Sequence, residues 1–202
     1  MAKLVAHCRS REDGKNMRYL DVLCATHGTD QRKFICLNAA TLGISAAVAM
    51  SVTQQGNLLR RLSGETRFIW ASLGQLKAWR NRMVRITVDG VSMDCATNLL
   101  AVVNGQYVGG GMKFVPSARP DDGFLDAIVA CDITRMQAVR ELGRIHRGGH
   151  LDNPKIVLKA GKHVRVETLD RAETLMVEAD GDVRGNTPAE FRLMPGALGL
   201  VW

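Results

Sequence analysis

The sequence predicts a mainly β protein, a β-sandwich of antiparallel strands with two or three helices, α+β overall. Three observations carry this expectation. Apolar residues alternate over short runs, as in Arg18-Tyr19-Leu20-Asp21-Val22-Leu23-Cys24 and Val84-Arg85-Ile86-Thr87-Val88, the two-residue period of a strand with one buried face. Gly, Asp and Asn turn signals separate these runs at short spacing, as in sheets built of hairpins. Helical periodicity is confined to 66–80 and 134–147. Strands therefore do not alternate with helices, which argues against a doubly wound parallel sheet.

The elements follow in chain order. Residues 1–16 are polar, charged and aperiodic, and are expected to form a loose segment ahead of one domain, 17–202. The strand over Arg18–Cys24 is expected to pair with Lys33–Asn38 across the turn-rich Thr26-His27-Gly28-Thr29-Asp30. Gln54-Gln55-Gly56-Asn57 reads as a loop. Within 66–80, Phe68, Ile69, Ser72, Leu73, Leu76 and Trp79 or Arg80 fall on one helical face. Val84–Val88 closes on Asp89-Gly90, a hairpin signal, and 93–103 is expected as one return strand with an apolar end at Leu99–Val103.

After the run Gly109-Gly110-Gly111 come Lys113-Phe114-Val115-Pro116, a charged loop, and a strand over Phe124–Ala130. Thr134 is placed to cap a helix whose Met136, Val139, Leu142 and Ile145 face inward. Its outer face then carries Arg140, Arg144 and Arg147 as a basic stripe. Two hairpins are expected to end the chain. One joins Ile156–Leu158 to Val164–Val166 around Ala160-Gly161-Lys162. The other runs from Leu175–Ala179 into Asp180-Gly181, with Phe191-Arg192-Leu193 beyond.

Composition bounds the function. With 202 residues, 46% hydrophobic and 23% charged, the chain is an ordinary globular protein and not a disordered one. Aromatic residues are only 5%, so the core is expected to be aliphatic. No apolar run approaches the ~18 residues of a membrane span, and the first residues lack a secretory signal. Five cysteines, odd in number and scattered, read as free thiols in a reducing cytoplasm. A net charge of +7 suits nucleic acid, an anionic membrane face or a phosphorylated small molecule. No recognition helix or aromatic stacking motif supports nucleic acid, so none is expected as a partner.

Two segments hold candidate chemistry. In Pro116–Asp126 the acidic turn Asp121-Asp122-Gly123 can aim carboxylate and carbonyl oxygens at one point, as a hard cation such as Mg²⁺ requires. In Val177-Glu178-Ala179-Asp180-Gly181-Asp182 carboxylates beside a glycine turn can deprotonate a hydroxyl. Spacing alone leaves a plain hairpin open for both, and Val88-Asp89-Gly90 has the same form. His146-Arg147-Gly148-Gly149-His150 and Cys24-Ala25-Thr26-His27 have metal-like spacing, but the paired Cys-x-x-Cys of a structural zinc site is missing. His150 reads instead as a helix-end residue whose charge suits the helix dipole. Ser45 and Ser51 lack the Gly-x-Ser-x-Gly elbow of a hydrolase.

Taken together and in order, these segments resemble a family. Asn104-Gly105-Gln106-Tyr107-Val108-Gly109-Gly110-Gly111-Met112 is followed by Pro120-Asp121-Asp122-Gly123-Phe124-Leu125-Asp126. Further on come Arg147-Gly148-Gly149-His150, then Asp180-Gly181-Asp182, and Thr187-Pro188-Ala189-Glu190-Phe191 with Leu193-Met194-Pro195-Gly196-Ala197-Leu198. The ordered set resembles the C-terminal domain of the diacylglycerol-kinase-like lipid kinases, which include bacterial diacylglycerol kinases and sphingosine and ceramide kinases. The likeness covers about Met17–Trp202.

The resemblance implies the lipid- and Mg-binding half of an ATP-dependent kinase that phosphorylates a lipid hydroxyl, diacylglycerol-like or sphingoid. Asp122, with the backbone carbonyls of Arg119 and Phe124, would hold Mg²⁺. Asp180 and Asp182, where the family usually has Asp-Gly-Glu, would supply the general base. ATP would be co-substrate only with the N-terminal nucleotide domain, whose Gly-Gly-Asp-Gly-Thr motif is absent here. The chain alone is therefore expected to be inactive. A cytoplasmic protein that touches an anionic membrane peripherally is implied, as a homo-oligomer or with a separate nucleotide-binding domain. One further departure matters: the family's Gly-Phe-Asp-Ala reads Gly43-Ile44-Ser45-Ala46, so Ser45 stands where a supporting carboxylate is expected. The alternative is a non-catalytic remnant that binds lipid or a partner.

Overall fold

Strand β1, Met17–His27, opens the fold, and its alternation is interrupted once. Its register against the last strand shifts between Leu20 and Val22, a bulge that turns Asp21 inward beside the buried Val22 and Leu23. The computed structural model describes residues 17–53, 64–109, 111–170 and 172–201. The segment 1–16, the loop at 54–57, Gly110 and the side chain of Phe68 lie outside these residues.

Beyond β1 come β2 (Arg32–Cys36), β3 (Ala39–Gly43), α1 (Ile44–Thr53), α2 (Gly64–Gln75), β4 (Arg82–Val88), β5 (Val91–Thr97) and β6 (Leu99–Val103). Then follow β7 (Tyr107–Val108), β8 (Met112–Lys113), β9 (Leu125–Ala130), α3 (Arg135–Arg144), β10 (Ile156–Gly161), β11 (His163–Thr168), β12 (Met176–Ala179), β13 (Asp182–Asn186) and β14 (Ala189–Val201). Two six-stranded sheets result, ordered β2-β1-β14-β11-β4-β5 and β10-β9-β6-β3-β12-β13. Among the described residues the chain forms the expected antiparallel sandwich, with three α-helices.

The main core lies between the sheets. Leu23, Val84, Ile86 and Phe191 from the first meet Leu42, Leu100, Val102, Leu125 and Val177 from the second. The opposite face of the second sheet is also covered, since Ala101, Val103 and Ile128 pack with Met112, Phe114, Val115 and Ile145. Strand β6 is thus buried on both faces, which explains why Leu99–Val103 is continuously apolar and does not alternate.

Four expectations need correction. The return strand 93–103 is two strands, β5 and β6, in opposite sheets. The chain changes sheet at Asn98, where the Thr97 hydroxyl donates to the Leu99 carbonyl and accepts from the Leu99 N–H. The 156–166 hairpin is likewise a corner between sheets. A Cβ on Gly161 would lie 2.4 Å from a Val88 methyl, and the Asp89 carboxylate accepts the N–H groups of Lys162 and His163. The Asp89-Gly90 turn therefore has a capping role of its own.

A helix not anticipated, α1, follows β3 directly. On the anticipated helices, Leu73 points outward, as do Met136 and Val139. Helix α3 does start at Thr134, whose hydroxyl accepts from the Gln137 N–H while the Gln137 side chain accepts from the Thr134 N–H. Its inward face is Ala138, Glu141, Leu142 and Ile145. At about 100° per residue, Met136 and Ile145 are two and a half turns apart and face opposite ways. A three-residue repeat of apolar residues does not stay on one side of a helix.

Candidate functional site

The site forms where α1 leaves β3. Gly43 makes the turn with a φ of +86°, and a Cβ there would lie 2.3 Å from the Asn98 carbonyl oxygen. That carbonyl accepts the Ile44 N–H at 2.8 Å, so only glycine fits the pivot. Beside it the β12–β13 hairpin turns on Asp180 and Gly181, with φ of +50° and +96°, the left-handed pair of a tight two-residue turn.

Asp180 faces the β2–β3 turn. One carboxylate oxygen accepts the Leu37 N–H at 2.7 Å, and the other accepts the N–H groups of Asn38 at 3.0 Å and Ala39 at 3.2 Å. The Cys36 thiol approaches the same carboxylate at 3.4 Å. Burial pushes that thiol's pKa far up, and the Asp180 charge adds to the shift. Asp182 stands apart from this arrangement. Its side chain is exposed and, among the described residues, reaches Arg184 alone, at 3.4 Å.

Glu178 is the carboxylate that spacing did not single out. It is buried, and it accepts hydrogen bonds from the Thr41 hydroxyl and the Gly181 N–H. Burial raises its pKa, against the lowering effect of these two bonds. Both its neighbours in sequence, Val177 and Ala179, are buried too. A strand enclosed on both faces hides a glutamate in a place where alternation would put it in solvent.

A cavity of about 660 Å³ opens against these groups. The sheet side supplies Thr41, Glu178, Asp180 and Gly181. The helices supply an apolar wall of Ile44, Val48, Val52, Leu76, Leu142 and Ile145. Ser45 and Trp79 also belong to this wall, and among the described residues the Ser45 hydroxyl is buried without a hydrogen-bond partner. An apolar enclosure with a few polar groups on one side suits a ligand with a hydrocarbon part and a polar head.

The 116–126 loop is anchored by Asp21, the residue the β1 bulge turns inward. Its carboxylate accepts the N–H groups of Gly123 at 2.8 Å and Gly196 at 2.7 Å, and its own N–H donates to the Pro120 carbonyl at 2.7 Å. Asp121 is occupied by Arg18 at 2.6 Å; this guanidinium holds its carboxyl below the usual range. Asp122 is exposed and accepts the Phe124 N–H with one oxygen at 3.0 Å. Half-buried Asp126 is pushed up by burial and by the Asp122 charge. Two carboxylates, Asp122 and Asp126, in a turn rich in carbonyls are the oxygen donors that a hard divalent cation takes. Among the described residues no three His, Cys, Asp or Glu side chains cluster as a metal site, so any metal here would rely on carbonyls and water.

The other candidates separate. Arg144 is drawn out of the basic stripe by Glu141 at 3.2 Å and Asp152 at 2.9 Å. His150 is buried under the Phe114 ring, centroids 5.7 Å apart. Burial lowers its pKa, so it is a core residue rather than a charged helix end.

Comparison with known proteins agrees with this architecture. A diacylglycerol kinase of Staphylococcus carnosus is 28% identical over 137 residues, 66% of this chain and 42% of its own. A diacylglycerol kinase of Staphylococcus aureus is 26% identical over 186 residues, 87% of this chain and 55% of its own. A solved chain from Bacillus anthracis matches in fold with a TM-score of 0.65 at 22% identity, over 94% of this chain and 58% of its own. The chain spans about half the length of the curated relatives it matches. Residues 40–202 match the family described as the YegS C-terminal NAD kinase beta sandwich-like domain, and with the two-sheet sandwich described above, the chain belongs to that family.

Proposed function

We propose that this chain is the lipid- and Mg-binding half of an ATP-dependent lipid kinase. The observation that carries this reading is the apolar cavity with Glu178 and Asp180 on its sheet side. Its walls suit an acyl chain, and its carboxylates suit the hydroxyl on the lipid's polar head. In the reaction, the lipid hydroxyl oxygen bonds to the γ-phosphorus of ATP, ADP leaves, and the hydroxyl proton passes to a carboxylate. Of the two expected carboxylates, Asp180 lines the cavity and takes that role; Asp182 is a second carboxylate on the solvent side of the same hairpin. ATP would be held by a nucleotide-binding domain, as the family resemblance implies.

In the same reading Asp122 and the carbonyls of Arg119 and Phe124 hold Mg²⁺. Their loop is tied through Asp21 to β1 and β14, so a cation there would brace the sandwich. The protein would work in the cytoplasm at an anionic membrane face. No described helix is long and apolar enough to cross a membrane.

The test is transfer of labelled phosphate from Mg-ATP to lipid in mixed micelles. The chain alone is expected to transfer none, and to transfer label once the nucleotide-binding domain of a relative is supplied. Asp180→Asn would then abolish it. Label from the chain alone would overturn the half-enzyme reading. Ser45, where the resemblance leads one to expect a carboxylate, favours a second reading, a non-catalytic lipid-binding module. That reading predicts lipid binding with no transfer under either condition.

A further inference from the structure

Outside the cavity, the two helices that wall it carry exposed apolar and basic side chains. On α2, Trp70 is 62% exposed and Leu73 43% exposed. Lys77, one turn beyond Leu73, is exposed on the same side. On α3, Met136 is 76% exposed and Val139 38% exposed, flanked by exposed Arg135 and Arg140. The Arg135 guanidinium donates to the Lys77 carbonyl at 3.1 Å, which ties the start of α3 to the turn that follows α2. The opposite sides of the same helices, Ser72, Leu76, Ala138 and Leu142, line the cavity.

Single exposed apolar residues are ordinary, but here a Trp, a Leu, a Met and a Val stand out from two helices whose ends are tied together. The charge around them indicates what covers them. Arg140 and the exposed Arg147 make no ion pair among the described residues, whereas Arg144 on the same helix makes two. These helices thus present apolar tips beside cations that make no ion pair among the described residues. That is the complement of an anionic bilayer surface, where apolar side chains pass the headgroups and cations meet phosphates.

We infer that Trp70, Leu73, Met136 and Val139, with Arg135, Arg140 and Arg147, dock this protein on anionic bilayers and place the cavity against the lipid it takes up. The inference deepens the lipid-substrate reading and rests on it for its purpose, but the two can fail separately.

The experiment is co-sedimentation with phosphatidylglycerol–phosphatidylcholine vesicles free of diacylglycerol, beside binding of monomeric dioctanoylglycerol. The intact chain should bind the anionic vesicles, and weaken with salt. L73E/M136E should lose about tenfold or more in vesicle affinity, as expected when charge replaces interfacial apolar groups, yet bind dioctanoylglycerol unchanged. R140Q/R147Q, which keeps the apolar tips, should weaken anionic binding and leave the low affinity for neutral vesicles untouched. Both pairs are on the surface, and an unchanged thermal midpoint confirms folding. Vesicle binding by L73E/M136E equal to that of the intact chain overturns the inference. So does an intact chain that ignores vesicles, including one that instead dimerises through these helices. Vesicle binding without dioctanoylglycerol binding leaves docking intact and removes the lipid-pocket reading.

Discussion

The side-chain amide of Asn104 donates to the Asp21 carbonyl at 2.8 Å. Its second hydrogen reaches the Leu37 carbonyl at 3.0 Å. One buried amide therefore bridges the bulge whose Asp21 carboxylate anchors the 116–126 loop and the β2–β3 turn that Asp180 caps. The two candidate centres, metal turn and cavity carboxylate, are separate in sequence but share this tether. A group that shifted one would be felt at the other through Asn104.

Asn104→Ala removes both donors and leaves the buried Asp21 carbonyl without one of them. An unsatisfied buried polar group costs about 1–3 kcal/mol, so a loss of that size is expected in urea unfolding. Asn104→Asp should be as damaging, because its oxygens cannot donate. A variant as stable as the native chain would mean that Asn104 carries no such tether.

Gly43→Ala tests the pivot between β3 and α1. The left-handed backbone alone costs a non-glycine residue about 1–3 kcal/mol. The added methyl also meets the Asn98 carbonyl, which is itself fixed by the Ile44 N–H. The expected result is a loss beyond the backbone term, read by thermal or urea unfolding. Gly90→Ala makes a useful contrast, since φ is +86° there too but nothing lies within 4 Å of its Cβ. It should cost only the backbone term.

Filling the cavity should separate binding from folding. Ala49 lines it and is not fully buried, so Ala49→Trp places an indole in free space rather than in the main core. Lipid-analogue binding, followed by equilibrium dialysis of a radiolabelled short-chain lipid, should fall by about tenfold or more, as a lost apolar pocket implies. Retained affinity would mean that lipid binds elsewhere.

What the sequence made legible is the part governed by local periodicity and turn chemistry. The β1–β2 pair, the Asp89-Gly90 and Asp180-Gly181 turns and the Thr134 cap all have local causes. The sheet changes at Asn98 and Gly161 do not. A chain that moves between layers keeps its strand pattern, and only packing against Val88 or the Thr97 corner reveals the move. Glu178 was hidden for a similar reason: alternation assigns polar residues to solvent, and only a strand covered on both faces buries one. Asp21 depends on a bulge, which shifts the period by one residue. The outward Met136 was the opposite case, since its side of the helix was legible by counting turns back from Ile145.

Mg²⁺ should stabilise the chain if the Asp122 turn holds it. A ligand that binds only the folded state raises the thermal midpoint in proportion to the logarithm of its concentration above Kd. The native chain is expected to show that rise with Mg²⁺, and Asp122→Asn to lose it while keeping its metal-free midpoint. Asp122 is exposed and donates nothing to the core, so the variant should fold. A midpoint in the native chain that ignores millimolar Mg²⁺ would exclude a structural cation at this turn.

Glu178 gives a pH signature of definite sign. Its folded pKa is raised by burial above the ordinary value of 4.5, so the folded state binds more protons than the unfolded chain just above that pH. Stability contributed by this residue must therefore fall as pH rises from the unfolded carboxylate range toward the folded pKa, and level off beyond it. Glu178→Gln keeps an acceptor for the Gly181 N–H and can donate to the Thr41 hydroxyl, but does not ionise. In urea unfolding across this range, the variant should show a flatter decline than the native chain. Its stability relative to the native chain should improve as the pH is raised. If the two profiles run parallel, Glu178 is not desolvated as its burial beside the cavity requires, and the cavity's sheet side is wetter than the geometry indicates.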